Sequence, residues 1–305
     1  MSAACPPGEE RGTISRTREV AASHVGRRPV TGTPARDRPR GGRVQEAADD
    51  ARVSTRTAWA FIWLPVALTA AVLASVLHPP LFVFLTAEDS VLEWGQFTCF
   101  LAASLFGAAA AARLLPEQRA PGLLLAMFAV AAFLAAGEEI SWGQRVFGWG
   151  TPASLASVNH QGETNLHNIT AIPVQKTFNL LQLAAGLYGS VFAVACRAVL
   201  RRRPFLVDLL LPALFLAPCF FLMFAYRFAR LTVLTEMRFV LVKVGELPEL
   251  TLALGLAGFA FVAMRRAVPP TGPDAKDPGD ARATGPSPGS RATGQAGSAV
   301  TPPGT

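Results

Sequence analysis

Glu138, Glu139, Ser141, Gln144 and Arg145 crowd together directly after the apolar stretch AMFAVAAFLAA. Carboxylates beside a hydroxyl, an amide and a guanidinium are the groups of general acid–base work and of anion clamping. A second set follows in the loop GWGTPASLASVNHQGETNLHNITAIPVQK, with Glu163, Asn165, His167 and Asn168 close in sequence. Histidine titrates near neutral pH and suits a proton carrier. Glu138, Glu139, Ser141, Glu163 and His167 are therefore the candidate catalytic residues. Gln144, Arg145, Asn165 and Asn168 are candidate substrate contacts, with Arg145 as a clamp for phosphate or carboxylate. Two more substrate-side carboxylates come from elsewhere in the chain: Glu93, one turn before Gln96 in EDSVLEWGQ, and Glu249, which flanks Pro248 together with Glu246.

Each of these residues also has a bland reading. Glu88 and Asp89 suit the first turn of a helix, where acids complement the dipole. Asn159, Asn165 and Asn168 suit turns and caps. Acids and arginines near a lipid boundary can form ion pairs that only fix helix packing. His160, Glu163 and His167 could share a face of one helix, but Gly162 interrupts it and the spacing matches neither HExxH nor HxxEH. We therefore expect no metal site, and no cofactor is indicated. The 26 glycines form no Walker or Rossmann pattern. Only the arginines of the N-terminal tail hint at nucleic acid, and we expect none as a partner.

The elements that carry these groups follow from hydropathy. Six apolar runs cover roughly 60–77, 92–113, 120–137, 178–196, 206–226 and 247–264. Each has about the length of a membrane-spanning helix. The runs are continuous rather than alternating, which excludes a barrel. The fold class is an all-α polytopic membrane protein, a bundle of about six transmembrane helices. Residues 1–55 are rich in Arg, Pro, Gly, Ala and Thr without periodicity, and are expected to be a disordered tail. The membrane domain is 56–266, with a polar loop at 138–177, and 267–305 is a second disordered tail. The first apolar run begins near residue 58, so no secretory signal is expected at Met1. Cys99, Cys196 and Cys219 sit in apolar runs as small fillers.

Basic residues sort by side. Arg52 and Arg56, Arg113 and Arg119, Arg197 to Arg203, and Arg265 and Arg266 lie at alternate helix ends. The positive-inside rule puts these ends, and both termini, in the cytoplasm, with the chain in the inner (plasma) membrane. Arg227, Arg230, Arg238 and Lys243 on the opposite side weaken the asymmetry. Of the 11 Asp and Glu in 56–266, nine fall on that opposite, outer side. Counting from Pro121 at about 1.5 Å per residue, a core of about 30 Å ends near Ser141. Glu138 and Glu139 then lie just inside the edge and need partners. If the helix continues, Glu138, Ser141 and Arg145 share a face. Thr151 should cap a helix that begins at Pro152, ASLASV should be helical up to Gly162, and 163–169 should add another turn.

The segments EDxxxEW (88–94), EEISWGQRxFGW (138–149), NxQGExNLHN (159–168) and GExxE (245–249) resemble a family of bacterial multi-pass integral membrane proteins carrying the EEISWGQR…NxQGExNLHN pattern. The resemblance runs from about residue 57 to 265. It implies a multi-pass membrane protein, with the position of His160 variable. Membrane hydrolases of the alkaline-ceramidase type also gather acids, Ser and His at one face. Here their late paired-histidine motif has no counterpart, since no His follows His167.

Three functions stay open. The first is an enzyme acting on a membrane lipid or a lipid-linked small molecule at the outer face. In it Glu138 or Glu139 is the base, His167 the proton carrier and Arg145 the clamp. The second is a scaffold or assembly protein that needs the polar network for packing alone, with protein partners unspecified. The third is a proton-coupled transporter, which the one-sided clustering and the absence of evident repeats disfavour.

Overall fold

The computed structural model describes residues 42–87, 90–159, 162–166, 169, 172–200, 204–233 and 239–268, apart from a few side chains that include that of Arg145. They belong to one compact unit. Of the expected tails 1–55 and 267–305, residues 1–41 and 269–305 lie outside the described residues, as do Glu88, Asp89, His160, Gln161, His167 and Asn168.

Six spans are long and apolar enough to cross a membrane: Thr55–Ser75, Pro79–Leu114, Arg119–Glu139, Lys176–Val199, Phe205–Thr232 and Glu246–Arg266. The chain is an all-α, multi-pass membrane protein. Among the described residues β-structure is limited to one isolated antiparallel bridge, Asn159 with Ile169.

The first helix was not expected. α1 (Arg43–Asp50) lies within the 1–55 segment read from composition as a disordered tail. Its polar residues mask a face of small ones: Ala48 and Ala51 are fully buried, and they join Ala58, Phe215 and Leu216 in one apolar cluster. Alanine buries little area, so it does not register as a hydropathy run, yet it lets a helix pack closely.

α2 (Thr55–Ser75) starts at Ser54, whose Oγ accepts the Thr57 N–H at 3.0 Å. The second span is α3 (Pro79–Thr86) followed by α4 (Val91–Leu114). His78 caps α3 through Nδ1, with prolines in the first turn. α5 (Arg119–Glu139) is the third span. After it come a 3₁₀ turn (Ser141–Gly143), α6 (Gln144–Phe147) and α7 (Ala153–Ala156). The fourth span is α8 (Ile172–Leu187), a π-turn (Tyr188–Phe192) and α9 (Ala193–Val199).

The fifth span is not the single helix its hydropathy suggests. α10 (Phe205–Leu210) stops, Leu211 turns extended with ψ 122°, and α11 (Ala217–Thr232) resumes after a 3₁₀ turn. Pro212 supplies no N–H and disfavours helical geometry at Leu211. The break is tolerated because Leu211, Pro212 and Ala213 are buried in protein rather than in lipid. α12 (Phe239–Lys243) leads into the last span, α13 (Glu246–Arg266).

α13 is the most buried span and forms the axis of the bundle. Small residues bring its neighbours close, as expected where lipid offers no hydrophobic driving force between helices. A Cβ on Gly258 would lie 2.6 Å from Leu216 and 2.8 Å from Phe61.

Candidate functional site

α5 ends at Glu139, so Glu138, Ser141 and Arg145 do not continue along one helical face as expected. The backbone instead makes a left-handed run: Ser141 at φ 47°, Trp142 at 57° and Gly143 at 78°. Left-handed geometry costs roughly 1–2 kcal/mol per non-glycine residue, so side chains must hold it. The indole of Trp142 seats on Gly137, where a Cβ would lie 2.8 Å from the ring, and its Nε1 donates to Glu138 Oε1 at 3.0 Å. Glu138 Oε2 accepts the backbone N–H of Leu166, tying the turn to the following loop.

The left-handed turn points Ser141 inward. Its Oγ donates to Glu163 Oε2 at 2.8 Å and accepts from Asn165 Nδ2 at 3.0 Å. Asn165 Nδ2 also reaches Glu163 Oε2 at 2.8 Å, and Asn165 Oδ1 accepts from Asn159 Nδ2 at 2.9 Å. Ser141, Asn159, Glu163 and Asn165 are all buried. Gln144 closes the outer side, donating to Thr151 Oγ1 at 2.7 Å and accepting the Thr164 N–H at 2.7 Å. The structure thus brings Glu138, Ser141, Gln144, Glu163 and Asn165 together as one hydrogen-bonded knot.

Two local expectations change. Thr151 does not cap α7. Pro152 holds that position, and Thr151 Oγ1 donates to the Gly162 carbonyl. The described residues of 163–169 form bends and a bridge rather than a helical turn, with Gly162 at φ 67° preceding them. Three donors and acceptors from Asn159, Ser141 and Glu163 satisfy this segment from the side, which outweighs an isolated turn of helix.

Glu139 faces the other way. It lies within electrostatic reach of Glu249, Glu246 and Glu93, and of Glu138 beside it. Three helix ends, those of α4, α5 and α13, therefore gather carboxylates at one end of the bundle. Gln96, fully buried, donates through Nε2 to the Glu246 carbonyl at 3.0 Å and to Glu246 Oε2 at 3.2 Å. Arg227 of α11 pairs with Glu249 at 2.8 Å and also bonds Gln182 Oε1. Its guanidinium carbon lies 5.4 Å from the Tyr226 ring centroid. Two polar atoms of this cluster have no hydrogen-bond partner among the described residues: the acceptor Oε1 of Gln96 and the donor Nε of Arg227. Buried polar atoms are nearly always paired, so the two mark where a ligand or water belongs.

The sequence pointed to Glu93, Glu139 and Glu249, and Glu139 lies within electrostatic reach of the other two. Gln182 and Tyr226 escaped notice, because a single Gln or Tyr in an apolar run has no periodic signal. Among the described residues no group of three His, Cys, Asp or Glu side chains is arranged to hold a metal ion.

The opposite end of the bundle holds a second network that the sequence marked only as topology signals. Arg197 at the end of α9 donates Nε to the Pro212 carbonyl at 2.8 Å and Nη2 to the Leu211 carbonyl at 2.7 Å. These are the carbonyls freed by the helix break. Its Nη1 pairs with Asp50 at 3.1 Å and with Asp208 at 3.3 Å. Arg266 at the end of α13 pairs with the same two acids, at 2.9 and 3.5 Å. Asp50 belongs to the unexpected α1, so its partners were not legible.

Compared with family models, with the curated proteins and with the solved structures, the chain matches none.

Proposed function

We propose that this protein is a membrane-embedded enzyme that acts on a lipid or lipid-linked substrate at the α4–α5–α13 end of the bundle. One observation carries the reading: Glu139 lies within electrostatic reach of Glu93, Glu246 and Glu249, in a cluster where a buried acceptor on Gln96 and a buried donor on Arg227 lack partners among the described residues. Carboxylates gathered at a helix end share protons, and a shared proton is what general acid–base chemistry needs. In this reading Glu139 is the base, Glu93 and Glu246 exchange protons with it, and Arg227, held by Glu249, clamps an anionic substrate group. Glu138, Ser141, Gln144, Glu163 and Asn165 lock the loop that follows α5. His167, Asn168 and Arg145 remain candidates contributed from that loop. The test is a comparison of Glu139→Gln with Glu138→Gln. The first should lose activity with the fold intact. The second should lose stability, because Gln keeps one acceptor oxygen where Trp142 Nε1 and the Leu166 N–H each use one.

The scaffold reading is favoured by a different observation, the closed hydrogen bonding of the knot, in which Ser141, Glu163 and Asn165 already bond one another. It accounts for the loop and leaves the carboxylate cluster without a purpose.

We further infer that the α1 end lies on the cytoplasmic side of the inner membrane, on the strength of Arg52, Arg56, Arg113, Arg119, Arg197, Arg265 and Arg266. The substrate then comes from the outer leaflet. The EEISWGQR…NxQGExNLHN resemblance agrees with a bacterial multi-pass protein.

A further inference from the structure

The fourth span is only 22% buried, against 67% for the last. α9 borders two depressions that share Val194, Ala198 and Leu214 in their walls. One is a polar cavity of 520 Å³ between α1 and α9, whose charged residues are Arg43, Glu46, Asp50 and Arg197. The other is an apolar groove of 750 Å³ that runs between α2, the fourth span and α11, past Ile62, Val191, Ala195 and Phe221. The π-turn at Tyr188–Phe192 lies at its far end. Such turns widen a helix and recur at functional positions. Here Gly189 presses on Phe220, where a Cβ would lie 2.2 Å from the ring, and Ser190 bonds back to the Gly186 carbonyl. The span is thereby held by α11 on one side while the groove face stays open.

A polar cavity at the membrane boundary that continues into an apolar groove has the shape of one amphiphile. We propose that a zwitterionic phospholipid with a primary ammonium, of the phosphatidylethanolamine type, occupies it, with its headgroup in the cavity and one chain in the groove. Charge selects the occupant. Among its described residues the cavity carries two cations, Arg43 and Arg197, and two anions, Glu46 and Asp50. Paired opposite charges fit a headgroup that is itself an ion pair better than they fit a net anion. Arg197 is fixed by four acceptors, so it is a placed charge rather than a mobile one. Arg43 and Glu46, both exposed on α1, are left to meet phosphate and ammonium. Asp50 keeps 42% of its side chain exposed while bonded to Arg197 and Arg266, so it too faces the cavity. Among the described residues no aromatic side chain lines the polar cavity. Quaternary ammoniums are held by aromatic faces, whereas a primary ammonium is held by hydrogen bonds to carboxylates, so the cavity discriminates against choline. This inference stands apart from the enzyme reading, because the two sites lie at opposite ends of the bundle.

The experiment is lipid retention by the full chain in detergent, read by native mass spectrometry with dioleoyl phosphatidylethanolamine, phosphatidylcholine and phosphatidylglycerol supplied in equal amounts. The ethanolamine lipid should be retained over each of the others by about tenfold, the discrimination expected of one lost charge-assisted hydrogen bond. The double variant Arg43→Gln/Glu46→Gln should erase that preference. Ala198→Trp, which fills the exposed groove wall, should reduce retention of all three lipids. Equal retention of the three by the wild type, or a preference for the glycerol or choline lipid, overturns the proposal whatever the variants do. So does an unchanged preference in the double variant.

Discussion

Glu138 and Glu139 are adjacent in the chain and serve different networks at one end of the bundle: Glu138 accepts from Trp142 Nε1 and the Leu166 amide, while Glu139 lies within electrostatic reach of Glu93, Glu246 and Glu249. The end of α5 divides them. One carboxylate fastens the loop, and the other joins the acids of α4 and α13.

Ser141 is both donor and acceptor inside the knot. Ser141→Ala leaves Glu163 and Asn165 short of one bond each, so it should cost about 1–3 kcal/mol. Thermal unfolding in detergent measures this, with the exposed Ser154→Ala as a control that should not shift.

Gly137 is a seat for an indole. Gly137→Val places a side chain where the Trp142 ring now lies, 2.8 Å from the built Cβ. The ring must leave, so tryptophan emission should move to longer wavelength and the 141–143 turn should lose its support. An unchanged spectrum would mean that the turn is held by other contacts.

Asp50 joins α1 to Arg197 and Arg266. Asp50→Asn should loosen α1 at a cost of about 1–3 kcal/mol, less than for a fully buried pair because Asp208 still faces both arginines. Limited trypsin digestion should then cut after Arg52 faster than in the wild type, while the bundle resists.

Reporter fusions after Arg119, at Ser157 and after Arg203 should read cytoplasmic, external and cytoplasmic. A cytoplasmic signal at Ser157 reverses the orientation and puts the candidate site on the inner face.

Much of this was legible in the residues. The six spans follow from long apolar runs, and Glu93, Glu139 and Glu249 stood out because charge at a lipid boundary needs company. Three features were hidden for identifiable reasons. α1 packs through Ala48 and Ala51, whose burial carries little hydropathy. The break at Pro212 is invisible to an average over apolar residues, and its stability depends on Arg197, a distant side chain. The left-handed run at Ser141 and Trp142 contradicts local preference, and partners outside the turn, Gly137, Glu138, Glu163 and Asn165, hold it. Ser141 in particular looked like a reactive group, and the turn spends its hydroxyl on Glu163 and Asn165.

The most direct test of the central claim is the lipid profile of cells in which Glu139→Gln replaces the wild-type chain, set beside cells lacking the protein. Glu139→Gln removes one of several clustered carboxylates, so the purified variant should melt no lower than the wild type. The account expects its cells to accumulate the same lipid or lipid-linked species as the deletion, with the protein present in normal amount. A profile identical to wild type in Glu139→Gln cells, against a changed profile in the deletion, would contradict it.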